Sequence, residues 1–199
     1  LTSLFAFPTL ALIALGAPVF VPWLLGERWT PIVLTAQILA LGGLREATMM
    51  LKGVVYRAVG RPHLHLMLAL ASTPCYLVAF VVGLRWGIEG VAFFYVLTGW
   101  LLHPVSWWLL NRTIALPLRG WLAALVPAAG GTVLASVVGA LAFRSLDAIP
   151  ALADGPALVL SGLAGGAAYA LALLIWRPPA LWRSAGALGR LVRQPFARL

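Results

Sequence analysis

The chain has 199 residues, 62% of them hydrophobic and 10% charged, with a net charge of +9 and a mean hydropathy of +0.99. A soluble domain is about half apolar and about a quarter charged, so this composition excludes a water-soluble fold and makes lipid the expected solvent. The basic excess, which in a soluble protein would point to nucleic acid, is scattered over loops and a tail beside apolar runs; it reads as a set of membrane topology signals, with no nucleic-acid partner. Cys75 is the single cysteine, so an intrachain disulfide and a cysteine metal cluster are both excluded. The chain opens on Leu1 and enters an apolar run at once, without the charged region or cleavage site of a signal peptide. It is expected to be the interior of a longer protein.

Six runs are long enough to cross a bilayer, which takes about 20 mostly apolar residues: 3–26, 31–56, 64–84, 90–110, 121–143 and 157–176. They are apolar all round and longer than barrel strands, so the expected fold is all-α. The expected organisation is a polytopic bundle over residues 1–176, followed by a basic tail over 177–199.

The first run carries Pro8, Pro18 and Pro22. Each proline removes a backbone donor and clashes with the preceding turn, which predicts a bent or broken helix. The second run, "PIVLTAQILALGGLREATMMLKGVVYRAVG", carries Arg45, Glu46 and Lys52. An ionisable group at the bilayer centre costs roughly 2.5–3.5 kcal/mol on insertion scales, so these side chains should face a bundle interior or an aqueous cavity. Arg45 and Lys52 share a face, while Glu46 is turned about 100° from Arg45, so the pair should not neutralise itself side by side. A polar, partly cationic translocation path and an ion-pair network that locks helices together both fit. Lys52 can also snorkel towards the helix end.

The turn "RAVGRPH", residues 57–63, combines a helix stop at Gly60 with a start at Pro62. Arg57 and Arg61 make it basic. His63 and His65 diverge by about 200° on a helix and do not form a metal pair. In the fourth run, His103 precedes Pro104; it is a candidate proton-sensitive gate or a histidine bonded to a neighbouring backbone. The fifth run carries Gly131, Ala135 and Gly139, and the sixth Gly162, Gly166 and Ala170. Stripes of small residues at this spacing predict that these two helices pack on each other. From Leu181 the tail can form an interfacial amphipathic helix suited to an anionic leaflet.

Charge then sets orientation. The 57–63 loop, the 111–120 loop and the tail carry arginines and no acid, whereas the other loops mix signs through Glu27, Glu89, Asp147 and Asp154. Positive-inside reasoning places the basic-only loops and both chain ends in the cytoplasm. Trp23, Trp29, Trp86, Trp107, Trp108, Trp121, Trp176 and Trp182 fall near span ends, where indole favours the headgroup layer. Asn111 opens a glycosylation acceptor triplet, which the same rule places on the wrong side. No catalytic constellation, metal site or cofactor motif is present, so no enzyme activity is expected.

The order of features resembles a known family. "LLGERW" (24–29), "PIVLTAQILAL", "YRAVGRPHL" (56–64) and "WGIEGVAF" (86–93) follow one another as in the C-terminal half of polysaccharide flippases. These are the O-antigen and exopolysaccharide transporters of the multidrug/oligosaccharidyl-lipid/polysaccharide exporter superfamily. The resemblance covers roughly residues 8–110; the last two spans match in hydrophobicity only. It implies one bundle of a two-bundle transporter that moves polyprenyl-pyrophosphate-linked oligosaccharide across the bacterial cytoplasmic membrane by alternating access, with a missing N-terminal bundle as partner. Arg45, Glu46, Lys52 and His103 are then the cavity candidates, and Arg57 and Arg61 the phosphate or topology candidates. A drug–cation antiporter of the same superfamily is the alternative within the fold. A membrane-embedded glycosyl- or acyltransferase, or an assembly subunit, are alternatives outside it.

Overall fold

The computed structural model describes residues 2–114, 118–147 and 154–176. Within them the chain forms helices α1 (Thr2–Leu25), α2 (Val33–Met49), α3 (Lys52–Ala58), α4 (Pro62–Gly83), α5 (Gly87–Ile114), α6 (Leu118–Asp147) and α7 (Asp154–Trp176). Short 3₁₀ turns occupy Glu27–Ile32 and Leu84–Trp86. Among the described residues there is no strand. The apolar stretches long enough to cross a membrane are Thr2–Leu25, Glu27–Ala58, Pro62–Ile114, Arg119–Leu146 and Gly155–Trp176. The protein is an all-α polytopic membrane protein. The predicted tail, 177–199, lies outside the described residues.

The stretch Pro62–Ile114 has 53 residues; as one straight helix it would be about 80 Å long, more than twice the hydrocarbon core. It folds back at Gly87, whose φ of 68° a side chain would resist. The contacts run antiparallel: the Tyr76 and Tyr95 rings lie 5.3 Å apart, and a methyl at Gly83 would come within 2.8 Å of the Gly90 carbonyl oxygen. The turn after α3 is equally specific. Arg61 N–H donates to the Tyr56 carbonyl (2.8 Å) and Gly60 N–H to that of Arg57 (3.0 Å). Gly60 sits at φ 73°, which is the Schellman pattern, and Pro62 then opens α4.

Helix α1 is central, packed against α2, α6 and α7. Of the expected bend or break, the break does not occur: α1 runs unbroken over 24 residues. The reason lies in what Pro8 and Pro18 set free. Pro8 cannot bond back to Leu4, and the Leu4 carbonyl instead accepts from the Tyr169 hydroxyl of α7 (2.5 Å). Pro18 cannot bond back to Ala14, and the Ala14 carbonyl accepts from the Gln37 side-chain amide of α2 (2.7 Å). Neighbouring side chains thus re-satisfy both carbonyls, the condition under which lipid-embedded helices tolerate proline.

The second predicted span is interrupted. α2 ends at Met49 and α3 begins at Lys52, with Leu51 near φ −87°, ψ 1°. Met50 stays in the right-handed helical region and Leu51 leaves it with φ still negative, so the helix is interrupted without a left-handed turn. The fourth and fifth spans also extend beyond their predicted limits, to Ile114 and from Leu118.

α6 and α7 pair as expected, with a correction on α7. Its contact face is Ser161, Gly165 and Tyr169, one residue ahead of the predicted stripe. A methyl at Gly165 would lie 2.8 Å from the Ala135 carbonyl oxygen, whereas one at Gly166 would meet nothing within 4 Å. Ser161 serves in the interface because its hydroxyl is already bonded to the Leu158 carbonyl (2.8 Å). Gly162 and Gly166 turn instead to a 470 Å³ crevice shared with α1. Trp107 and Trp121 also depart from expectation: they pack inward around Tyr56 and Leu110.

The proline-freed carbonyls give the first prediction. Tyr169→Phe should lower unfolding stability by about 1 kcal/mol, within the range of interhelical hydrogen bonds in lipid. In a Pro8→Ala background, where the helix supplies its own donor to Leu4, that loss should shrink to near zero. A double-mutant cycle measured by steric trapping in bicelles reads the difference.

Candidate functional site

A groove of 960 Å³ opens between the first half of α1 and the α2–α3 junction. Phe5, Thr9 and Leu10 of α1 give it an apolar wall, and Glu46, Lys52, Arg57 and His65 face them from α2, α3 and α4. The helix break after Met49 positions this set. It ends α2 one turn beyond Glu46 and makes Lys52 the first residue of α3. Gly53 leaves room for His65, whose Nε2 would lie 3.2 Å from a methyl at that position. The His65 ring in turn stacks on Tyr56, with centroids 6.3 Å apart and planes at 27°.

Of the candidates read from sequence, Glu46, Lys52 and Arg57 come together in this groove. Arg45 does not line it. Its side chain is buried between α2 and α5 and is 5% exposed. The guanidinium lies directly on Gly99, where a methyl would sit 2.7 Å from Cζ. The contacts Gly42–Val96 and Arg45–Gly99 show α2 and α5 running parallel.

The expectation that Arg45 and Glu46 cannot neutralise each other is overturned. Arg45 Nη2 donates to Glu46 Oε1 at 2.5 Å. The two Cβ directions do diverge, but the long arginine side chain curls around the helix and closes the gap. Arg45 Nε has no hydrogen-bond partner among the described residues. The pair is also asymmetric: the Glu46 side chain is 50% exposed against 6% for Arg45. A buried cation thus has its one carboxylate partner at the wall of an open groove. Tyr76 of α4 stands within electrostatic reach of both.

His103 is placed apart from the groove. Its ring lies tilted between Trp100 and Trp121, 5.9 Å from each. Its Nδ1 is buried with no partner among the described residues, so the backbone bond expected of a lone bundle histidine is not made. Arg61 lies exposed in the α3–α4 turn.

Sequence reasoning missed three contributors. His65 was set aside with His63 as a failed metal pair, although Gly53 near Lys52 marked a place where a ring could approach. Gly99 carried no local signal, because its role depends on the parallel docking of α2 and α5. Tyr76 likewise reads as one aromatic among many in an apolar run.

Searches against protein-family models, curated proteins and solved structures return no match to this chain.

The asymmetric pair generates a prediction. Glu46→Leu leaves the Arg45 charge buried without a counter-ion and should destabilise by about 3 kcal/mol, the lower end for breaking a buried pair because Glu46 is half exposed. Arg45→Met combined with Glu46→Leu should recover most of that loss. Equal thermal stability of the Glu46→Leu protein and the wild type in nanodiscs would show that Arg45 does not depend on the pair.

Proposed function

We propose that this chain is one bundle of a two-bundle transporter of the polysaccharide-flippase type, moving a lipid-linked oligosaccharide across the bacterial cytoplasmic membrane. The observation that carries the reading is the groove itself. It is an intramembrane opening with Lys52, Arg57 and His65 set around a single carboxylate, against an apolar wall on α1. A substrate with a pyrophosphate and a polyprenyl tail asks for such a pairing of positive charge and apolar surface. The ordered turns "LLGERW", "YRAVGRPHL" and "WGIEGVAF" support the family reading independently. In this reading the basic-only loops and both chain ends are cytoplasmic, as positive-inside reasoning expects, and the groove, with Arg57 near the α3–α4 turn, opens towards the side where such precursors are made. Ionisable residues within a span mark a transport pathway by default.

In this reading Lys52 and Arg57 meet the substrate's phosphates, and Arg45 acts through Glu46, holding its carboxylate at the groove wall. Alternating access requires a second bundle, so this bundle is not expected to transport alone. Partners are the second bundle, membrane lipid and the lipid-linked saccharide. Glu46 at the groove wall is the one observation that favours the alternative, a drug–cation antiporter, because a cationic cargo would use an acid there.

The test is complementation. The two-bundle parent is expressed in a flippase-deficient strain and surface polysaccharide is measured. Lys52→Ala and Arg57→Ala should each lower it about tenfold, the equivalent of about 1.4 kcal/mol for a charge-assisted phosphate contact. Failure of the unaltered parent to restore polysaccharide would sink the flippase reading. Cation-drug resistance lost on Glu46→Ala but kept on Lys52→Ala would support the antiporter instead.

A further inference from the structure

From the same turns that carry Arg57 and Arg61, we infer that the basic end of the bundle is a binding site for the headgroup of an anionic phospholipid. The site is built from one turn and two helix ends. The turn joins α3 to α4 and presents Arg57, Arg61 and His63; the helix ends are the last turn of α5, with Arg112, and the first turn of α6, with Arg119. All five side chains are exposed. The turn and the two helix ends are neighbours in space because Tyr56 of α3, Leu64 of α4, Trp107 and Leu110 of α5 and Trp121 of α6 pack into one cluster. Tyr56 at its centre is fully buried. The arginines are therefore mounted on a fixed platform.

Charge is unbalanced at this end. The whole sequence holds five acids, Glu27, Glu46, Glu89, Asp147 and Asp154. Glu46 lies within α2, paired with Arg45. The other four lie at or beyond the opposite ends of the helices. No acidic side chain within residues 47–88 or 90–146 is there to neutralise Arg57, Arg61, Arg112 or Arg119. Arg112 is also oriented: its guanidinium lies over the Trp108 ring, 4.1 Å from the centroid. Stacking of this kind holds the plane and leaves the in-plane N–H donors free for a phosphate oxygen.

The apolar surface beside the arginines selects a lipid over a free phosphate. Leu66 and Met67 of α4, Val105 of α5 and Leu122 of α6 are all about half exposed or more (59%, 61%, 51% and 47%). They lie within a few turns of the basic residues on the same helices. A phosphodiester carrying acyl chains satisfies both surfaces at once, and basic pockets between helix ends on the cytoplasmic side are a known setting for such headgroups. This site shares Arg57 with the transport reading but goes beyond it and does not rest on it.

The test is native mass spectrometry of the whole chain, residues 177–199 included, released from detergent micelles. Probes are dioleoylphosphatidylglycerol, dioleoylphosphatidylcholine and inorganic pyrophosphate. Phosphatidylglycerol adducts should form at about one-tenth the lipid concentration needed for phosphatidylcholine. The double variants Arg57→Gln/Arg61→Gln and Arg112→Gln/Arg119→Gln should each erase that preference, and Trp108→Leu should weaken it. Arg144→Gln, at the opposite end, should leave it intact. Arginine-to-lysine versions of the double variants, which keep the charge and guard against misfolding, should retain most of it. Equal binding of the two lipids, a preference unchanged in both glutamine variants, or one lost equally in Arg144→Gln would overturn the inference. So would displacement of phosphatidylglycerol by equimolar pyrophosphate, which would mean that phosphate alone is recognised.

Discussion

The bundle depends on backbone oxygens of α1 that proline leaves without a helical donor. In water such carbonyls would simply be hydrated. In hydrocarbon each must find a partner or cost several kcal/mol. Here the partner at Leu4 is Tyr169 and at Ala14 is Gln37, from helices on different sides of α1. The same prolines that weaken the ladder of α1 therefore specify which helices sit beside it and at what height. The glycine contacts of α6 with α7 and of α2 with α5 refine that arrangement through close approach.

Charge follows a second rule, that a buried cation must be paired. Arg45 could enter the α2–α5 interface only because Gly99 offers no side chain there and Glu46 supplies a carboxylate. The geometry divides labour between adjacent residues. One faces the neighbouring helix and anchors; the other faces the groove and is exposed to whatever enters it. Their coupling means that the state of the groove wall and the packing of α5 are not independent, since removing the carboxylate strands the cation.

Much of this was legible in the sequence, for identifiable reasons. The helical, membrane-spanning character followed from run length and from the poverty of charge. The α3–α4 turn was legible at Gly60 and Pro62, because a left-handed cap and a helix start are local events. The pairing of α6 with α7 was legible from small residues, but not which α7 stripe makes it, because Ser161 and Gly165 compete with Gly162 and Gly166 on composition alone. The continuity of α1 was not legible, since it rests on Tyr169 and Gln37, far away in the chain. The contact between Arg45 and Glu46 was misread because helical angles describe where a side chain leaves the backbone, not where a long one ends. Of the site, Glu46, Lys52 and Arg57 could be picked out because charge in a span is rare. His65, Gly99 and Tyr76 needed the tertiary arrangement.

The fold-back at Gly87 has a consequence for how the protein is made. Between α4 and α5 there is one 3₁₀ turn, which carries Arg85, and α5 opens on Gly87 with Glu89 in its first turn. A link so short keeps α4 and α5 side by side from the moment both are made. The two helices are thus suited to partition from the insertion machinery together, as a preassembled hairpin. Its interior is already closed by Gly83 against Gly90 and Tyr76 against Tyr95.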